Sequence, residues 1–269
     1  MIDLHAHILP GLDDGPKDIE ESLAMCEKAA ADGIRAIVAT PHTGNGVYEN
    51  HRDRIMSSLS ALREKVEKAG IPIVLFAGAD VHANVAILDM IADGRAMTVN
   101  GNGSHVMIEM PDQVVPPRFE EWLFSLRLKG IVPILTHPER NMVIASDQDF
   151  LAWLVAMGVL VQVTAMSVTG QFGRAIERTS RAMLARGLVH VIATDAHSVD
   201  TRPPVLSKAR DIAASLIGEG ALDLVEKNPR SILEGRPVDV LRPKEITQGF
   251  MKRLLSRKRP HWDAMLCEG

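Results

Sequence analysis

The sequence predicts an α/β fold in which parallel strands and outer helices make a closed or nearly closed barrel, with a metal cluster at one mouth. Three observations predict it. Apolar runs of strand length alternate with helix-length stretches from Ile2 to Leu233, the order that gives a parallel sheet with helices packed outside. The apolar runs close on His, Asp or Glu: His5-Ala6-His7, Thr40-Pro41-His42, Glu109, Thr136-His137-Pro138 and Asp195-Ala196-His197. Strands that stop repeatedly on metal-ligand residue types describe a site at the C-terminal ends of a barrel's strands. No G-x-G-x-x-G follows the first strand and no Walker A loop occurs, so a nucleotide-binding open sheet lacks support.

The elements follow in order. Ile2 to His7 is an apolar first strand. Asp18 to Asp32 is a helix with Leu23, Cys26 and Ala30 on one face, stopped by Gly33. Ile34 to Thr40 is the second strand, and Arg52 to Ala69 a long charged helix stopped by Gly70, its polar face in water. Ile71 to Asp80 is the third strand, with a short helix near Val85 to Ala92. Val106 to Glu109 is the fourth strand, followed by a helix from Arg118 to Lys129 that Gly130 ends. Ile131 to Thr136 is the fifth, Gln148 to Met157 a helix, and Val159 to Thr164 the sixth. Phe172 to Arg186 is a helix ended by Gly187, and Leu188 to Thr194 is the seventh strand. Pro204 to Ile217 and Leu222 to Glu226 are helices, with a last turn at Pro229 to Leu233.

Composition bounds the function. At 269 residues with 46% apolar residues, the chain suits one barrel domain. We assign residues 1–240 to it and 241–269 to a basic extension, in which Met251 to Pro260 carries five positive charges. That segment is expected to be a solvated tail, with weak contact to acidic lipid or an acidic kinase tail as the alternative. The net charge of −4 gives no footprint for nucleic acid. No apolar run reaches the roughly 18 residues of a membrane span, and Ile2-Asp3-Leu4-His5 follows the first Met without a signal pattern. A cytoplasmic location is expected, and oligomeric state stays open. A thiol mechanism is disfavoured. The residue six on from Cys26 is Asp32, not the arginine of a cysteine phosphatase, and Cys267 has two residues behind it.

The clusters carry the chemistry. His5 and His7 lie two apart on a strand, so both imidazoles point to one face and can reach one ion. Asp195 with His197, and Asp80 with His82, repeat that spacing. Imidazole and carboxylate together suit Mn, Fe, Zn or a similar ion. The candidates are too many for one ion, so two or three are expected.

The run His5-Ala6-His7-Ile8-Leu9-Pro10-Gly11-Leu12-Asp13-Asp14-Gly15 is the most specific stretch. Here the chain resembles the PHP (polymerase and histidinol phosphatase) superfamily. Within it, the chain looks like the bacterial protein-tyrosine phosphatases that act beside capsule and exopolysaccharide tyrosine kinases. The likeness continues through Ala39-Thr40-Pro41-His42, Phe76-Ala77-Gly78-Ala79-Asp80, Ile108-Glu109-Met110-Pro111, Thr136-His137-Pro138-Glu139-Arg140, Thr194-Asp195-Ala196-His197-Ser198 and Asn228-Pro229.

The resemblance implies a distorted (β/α)7 TIM-like barrel, the PHP fold, with three metals. It implies His5, His7 and Asp195 on the first; Glu109 and His137 on the second, with Asp80 bridging; and Asp14, His42 and His197 on the third. Manganese is the first choice, with iron, cobalt or zinc open. The family usually has Glu at the bridge, where this chain has the shorter Asp80, and His82 is a candidate to compensate. Of Asp13 and Asp14, one faces the site and the other stabilises the turn before Gly15.

The implied reaction is hydrolysis of phosphotyrosine on a protein, such as the C-terminal tail of a bacterial tyrosine kinase. A water shared by two ions about 3.5–4 Å apart would attack phosphorus. Arg140 and Arg202 are the candidate phosphate clamps, and His42 or His197 the candidate proton donor. The rival readings are a small-molecule phosphomonoesterase of the histidinol-phosphate kind, an amidohydrolase, and a binding protein whose cluster has decayed at Asp80. No lysine sits at a strand end to serve an amidohydrolase.

Overall fold

Among the described residues every strand pairing is parallel. A computed structural model describes residues 1–238. Cys267 and the basic segment at Met251 to Pro260 lie outside the described residues.

Among the described residues nine strands form: β1 (Ile2–Ala6), β2 (Ala36–Ala39), β3 (His42–Thr43), β4 (Val74–Ala77), β5 (Asp80–His82), β6 (His105–Glu109), β7 (Val132–Thr136), β8 (Leu160–Thr164) and β9 (Val191–Ala193). They make two sheets, in the orders β1-β2-β4 and β3-β5-β6-β7-β8-β9. The expected third strand is thus broken in two, and the second is followed by an additional short strand, β3. The break after β4 falls at Gly78, where a Cβ would come within 2.9 Å of Val38 Cγ1, a crowding invisible in a linear pattern. The sheets still touch: Asp80 N–H donates to Pro41 O at 3.2 Å, and a parallel bridge joins Ala6 to Ala196.

The helices are α1 (Ile19–Ala31), α2 (Arg52–Lys68), α3 (Ile87–Ala92), α4 (Phe119–Leu128), α5 (Met142–Ser146), α6 (Gln148–Ala156), α7 (Ala165–Val168), α8 (Arg174–Ala185), α9 (Ser207–Ile217), α10 (Gly220–Leu222) and α11 (Asn228–Leu233). A π-helical turn, Asp223–Lys227, joins the last two. Helix α1 starts where its sequence says, because Asp18 accepts the N–H of Glu21. Its fully buried face is Ser22, Met25, Cys26 and Ala29, rotated from the expected one, while Leu23 and Ala30 are only partly covered. Helix α8 begins two residues later than expected, at Arg174, because Gly173 has φ 95°. Helices α5 and α7 have no helical period in so short a run, and the sequence reading left them out. Leu206 offers α9 no side-chain cap. The carboxylate of Asp32, at the end of α1, takes its place, accepting the N–H groups of Leu206 at 2.7 Å and Ser207 at 2.9 Å.

Apolar side chains pack in two bodies. One lies between strands and helices and includes Met25, Ile37, Leu59, Leu123 and Leu154. The other joins Leu4, Val38, Met107, Ile134, Leu160 and Val191 to Ile232 and Leu233 of α11. Each fully buried Leu or Ile contributes about 1.5–3 kcal/mol relative to exposure. Residues two apart on a strand share a face, so Met107 lies below Glu109, Ile134 below Thr136 and Leu160 below Gln162. The polar site therefore rests on an apolar floor.

Candidate metal centre

Polar residues gather where β1, β6, β7 and β9 end and where β3 and β5 begin, at His42 and Asp80. Three overlapping groups have ligand atoms mutually within 4.8 Å: His7, Asp14, His42 and His197; His5, His7 and Asp80; His42, Asp80 and Glu109. Asp195 Oδ1 lies 3.5 Å from His5 Nε2 and 3.4 Å from His7 Nε2. His137 Nε2 is 3.6 Å from Glu109 Oε1 and 4.0 Å from Asp80 Oδ2. All nine expected ligands thus converge, though the groups overlap: His7 also reaches the set at Asp14, and His42 also reaches Asp80 and Glu109.

Local backbone aims these side chains. The register pairs Asp80 with Met107, His82 with Glu109, and Glu109 with Thr136, which sets the two carboxylates on neighbouring strands. His137 (φ 33°) and Asp195 (φ 52°) occupy the left-handed region, each at a cost of about 1–3 kcal/mol that the surrounding structure must hold in place. Gly15 is required because a Cβ there would meet His7 O at 2.5 Å.

The imidazoles are oriented from behind. His5 Nδ1 is 3.0 Å from Gln162 Oε1, His7 Nδ1 is 2.7 Å from Asp13 Oδ2, and His197 Nδ1 is 2.9 Å from the Asp195 carbonyl. Each acceptor fixes the proton on Nδ1 and leaves Nε2 facing the cluster, the arrangement of a metal-ligating histidine. His5 Nε2 and His7 Nε2 converge to 3.0 Å.

Asp80 is the sharpest test of fit. Its Oδ1 accepts the Thr136 hydroxyl at 3.1 Å. Its Oδ2 is buried without a hydrogen-bond partner, yet lies 3.6 Å from His5 Nε2, 3.5 Å from His42 Nδ1 and 4.0 Å from His137 Nε2. His42 Nδ1 and His197 Nε2 are also buried and unpartnered. A buried carboxylate oxygen ringed by imidazole nitrogens is costly unless a cation completes it. The donor set fits divalent metal.

Electrostatics point the same way. Burial, with Glu109 adding repulsion, pushes Asp80 up to about 7. Burial alone would lower His7, but the Asp13 carboxylate raises it to about 10. The metal-free cluster thus takes up protons where cations would otherwise supply the positive charge. Burial works against ionised Asp195 and Glu109. Arg140 and His5 nonetheless hold Asp195, and the neighbouring imidazoles of His42 and His82, 3.3 and 3.8 Å away, hold Glu109, well below the ordinary carboxylate range. Burial, with Arg140 adding to it, lowers His137 to about 3.

Other expected residues are placed as follows. Asp14 is half exposed and faces His197 Nε2 at 3.4 Å, while Asp13 is buried and accepts the N–H of Gly15 and of His42, each at 3.0 Å. His82 sits at the rim, 3.8 Å from Glu109, and belongs to none of the three groups. Arg140 and Arg202 do not point into open space. Both pair with Asp195 Oδ2, Arg202 at 2.6 Å, and Arg140 also donates to Thr164 Oγ1 at 2.8 Å. Asp195 therefore gives one oxygen to the histidines and the other to two guanidinium groups. The rim segment Val114-Val115-Pro116-Pro117 is pinned by Asn141, whose amide donates to Pro111 O and Val114 O. Cys26 is buried and its thiol is pushed up to about 12, which suits packing and not nucleophilic work.

Sequence reading missed Gln162, Phe172 and the pair Asp3–Thr194. Asp3 is fully buried and accepts the backbone N–H of Thr194 at 2.9 Å beneath Asp195. Polar residues inside apolar strand runs were the available signal for Asp3 and Gln162.

Known proteins match this arrangement. The family model for capsular polysaccharide synthesis, CpsB/CapC, matches residues 1–234. The tyrosine-protein phosphatase YwqE of Bacillus subtilis (strain 168) is 36% identical over 202 residues, 75% of this chain and 79% of that one. The tyrosine-protein phosphatase CpsB of Streptococcus pneumoniae is 30% identical over 239 residues, 87% of this chain and 98% of that one. A crystal structure from work on YwqE and CpsB, described as unique metal-dependent tyrosine phosphatases, superposes with a TM-score of 0.88 at 31% identity. It spans 92% of this chain and 100% of its own.

Proposed function

The chain belongs to the CpsB/CapC family of capsular polysaccharide synthesis, and from the site it carries we infer that it is a metal-dependent protein-tyrosine phosphatase. The observation that carries this reading is the orphaned Asp80 Oδ2, ringed by His5, His42 and His137, with the far nitrogen of His5 already anchored on Gln162. The parallel pairing, with strand ends bridged at Ala6 and Ala196, supports a distorted (β/α)7 barrel for residues 1–240. Residues 241–269 are its extension.

The nine residues His5, His7, Asp14, His42, Asp80, Glu109, His137, Asp195 and His197 would hold two to three divalent ions, manganese first. When bound, such ions supply an activated water and offset charge on the phosphoryl oxygens. The remaining work belongs to side chains. Arg140 and Arg202 meet at Asp195 Oδ2, which fixes two guanidinium groups beside the cluster, where a phosphoryl group would present its oxygens. Asp195 thus positions the arginines that bind substrate. Hydrolysis transfers the phosphoryl group to water, breaks the P–O bond to the ring and releases the tyrosine hydroxyl. A phenol leaves readily enough to need modest proton help. His42 would give it in the two-ion form of the site, where it is left free of metal; its Nδ1 lies 3.3 Å from Glu109.

The substrate class is a phosphotyrosine protein, with the C-terminal tail of a bacterial tyrosine kinase as its specific form. Among the described residues no helix is long and apolar enough to cross a membrane. The test is phosphate release by the manganese-loaded protein from a phosphotyrosine peptide, with histidinol phosphate run in parallel. Turnover of the peptide with little on histidinol phosphate supports the reading. The reverse preference moves the chain to the small-molecule branch.

A further inference from the structure

Phe172 is carried on a turn. Gly173 N–H donates to Gly170 O at 3.0 Å, both glycines have positive φ, and Arg181 Nε ties α8 to the Val168 carbonyl of α7 at 3.1 Å. The ring is thereby presented toward the metal centre. The Arg140 guanidinium carbon lies 4.6 Å from its centroid and that of Arg202 6.0 Å. Phe172, Ile176, Asp112 and the two arginines line a cavity of about 300 Å³. The Nε atoms of both arginines are buried without partners. Two cations that meet at Asp195 thus share one concavity with an apolar wall.

We propose that this cavity receives the aromatic ring of the phosphotyrosine, and that Phe172 selects aryl over alkyl phosphate esters. The inference rests on the phosphatase reading and names its specificity residue. A phosphoryl group held by Arg140 and Arg202 leaves the tyrosyl ring one ester bond away. The apolar surface within that reach is Phe172 backed by Ile176. Aromatic rings pair favourably at centroid separations of about 4.5–7 Å, so an aryl ester gains a contact that a serine ester lacks.

The experiment compares binding of phenylphosphonate and methylphosphonate to the manganese-loaded full chain by calorimetry. It also compares kcat/KM on phosphotyrosine and phosphoserine. Phe172→Leu is expected to cut the aryl-to-alkyl preference about threefold to tenfold, with inorganic phosphate binding unchanged. Phe172→Tyr, which retains the ring and controls for folding, is expected to keep it. An unchanged ratio, or equal weakening of aryl and alkyl ligands, overturns the proposal, the latter assigning Phe172 to holding the arginines. The phosphatase reading fails separately, if the unmodified chain hydrolyses no phosphate ester.

Discussion

Asp13 Oδ2 lies 2.7 Å from His7 Nδ1, and the same oxygen accepts the backbone N–H of His42 at 3.0 Å. One buried carboxylate thus orients a ligand histidine just after β1 and the start of β3, without itself belonging to any of the three ligand groups. Asparagine in its place would keep the size and lose the charge that fixes the His7 proton. We predict that Asp13→Asn lowers divalent-metal affinity about 10- to 100-fold, with the circular dichroism spectrum unchanged. Competition with a chelating dye measures it.

Asp80 offers the centre its most isolated anionic oxygen. Asp80→Asn removes that charge and is predicted to reduce the metal retained per chain and abolish most hydrolysis. Relative to the parent, the chelated Asp80→Asn protein should gain stability as pH rises. Burial raises Asp80 to about 7 from an ordinary 3.8, so in the parent its stabilising contribution is full below about 3.8 and lost as pH rises through 7. Denaturant midpoints of both chelated proteins at pH 5 and 8 measure the difference.

Arg140 is judged by its fork. A lysine keeps the charge but has one nitrogen, and so lacks the further guanidinium nitrogens that would face a phosphoryl oxygen while Nη2 holds Thr164 and Asp195. Arg140→Lys is predicted to lower kcat/KM on a phosphotyrosine peptide about 100-fold, with metal content retained. Loss of metal in place of turnover would assign Arg140 to supporting Asp195.

His190 lies away from the cluster, and its Nδ1 accepts the N–H of Val161 at 3.1 Å. Burial lowers its pKa to about 4. The unfolded chain therefore takes up this proton first. The contribution is present above about 6.5 and lost as pH falls toward 4, at up to about 1.4 kcal/mol per pH unit. His190→Asn, which can retain an acceptor for Val161, should lose about 1–2 kcal/mol less than the parent between pH 7 and 5. Urea midpoints read it.

Asp32 caps a helix that is not its own. Asp32→Ala strips the acceptor from Leu206 and Ser207 and is predicted to cost about 1 kcal/mol, seen as a lower urea midpoint with the slope unchanged.

The strand ends were legible because parallel strands are apolar on both faces and change abruptly to His, Asp or Glu. That contrast marks eight of the nine convergent residues; Asp14, in the loop after β1, comes only from the resemblance. Their grouping was not legible: His7 and His42 each serve two neighbourhoods, and sharing depends on register across strands far apart in sequence. The Asp13–Asp14 pair announced one facing residue and one turn residue, but not that Asp13 would also brace His7. Phe172 was read into a helix because its neighbours suit one. Only the φ of Gly173 takes it out, and with it the wall of the cavity beside Arg140.

The central claim is that these histidines and carboxylates form a metal centre that cleaves phosphotyrosine. The direct measurement is a titration of Mn²⁺ into fully chelated protein, following bound metal per chain and phosphate release from a phosphotyrosine peptide together. The account predicts no release without metal, release rising with occupancy to two or three ions, and loss of both in Asp80→Asn. Undiminished release from the chelated protein, or full occupancy with no release, would contradict it.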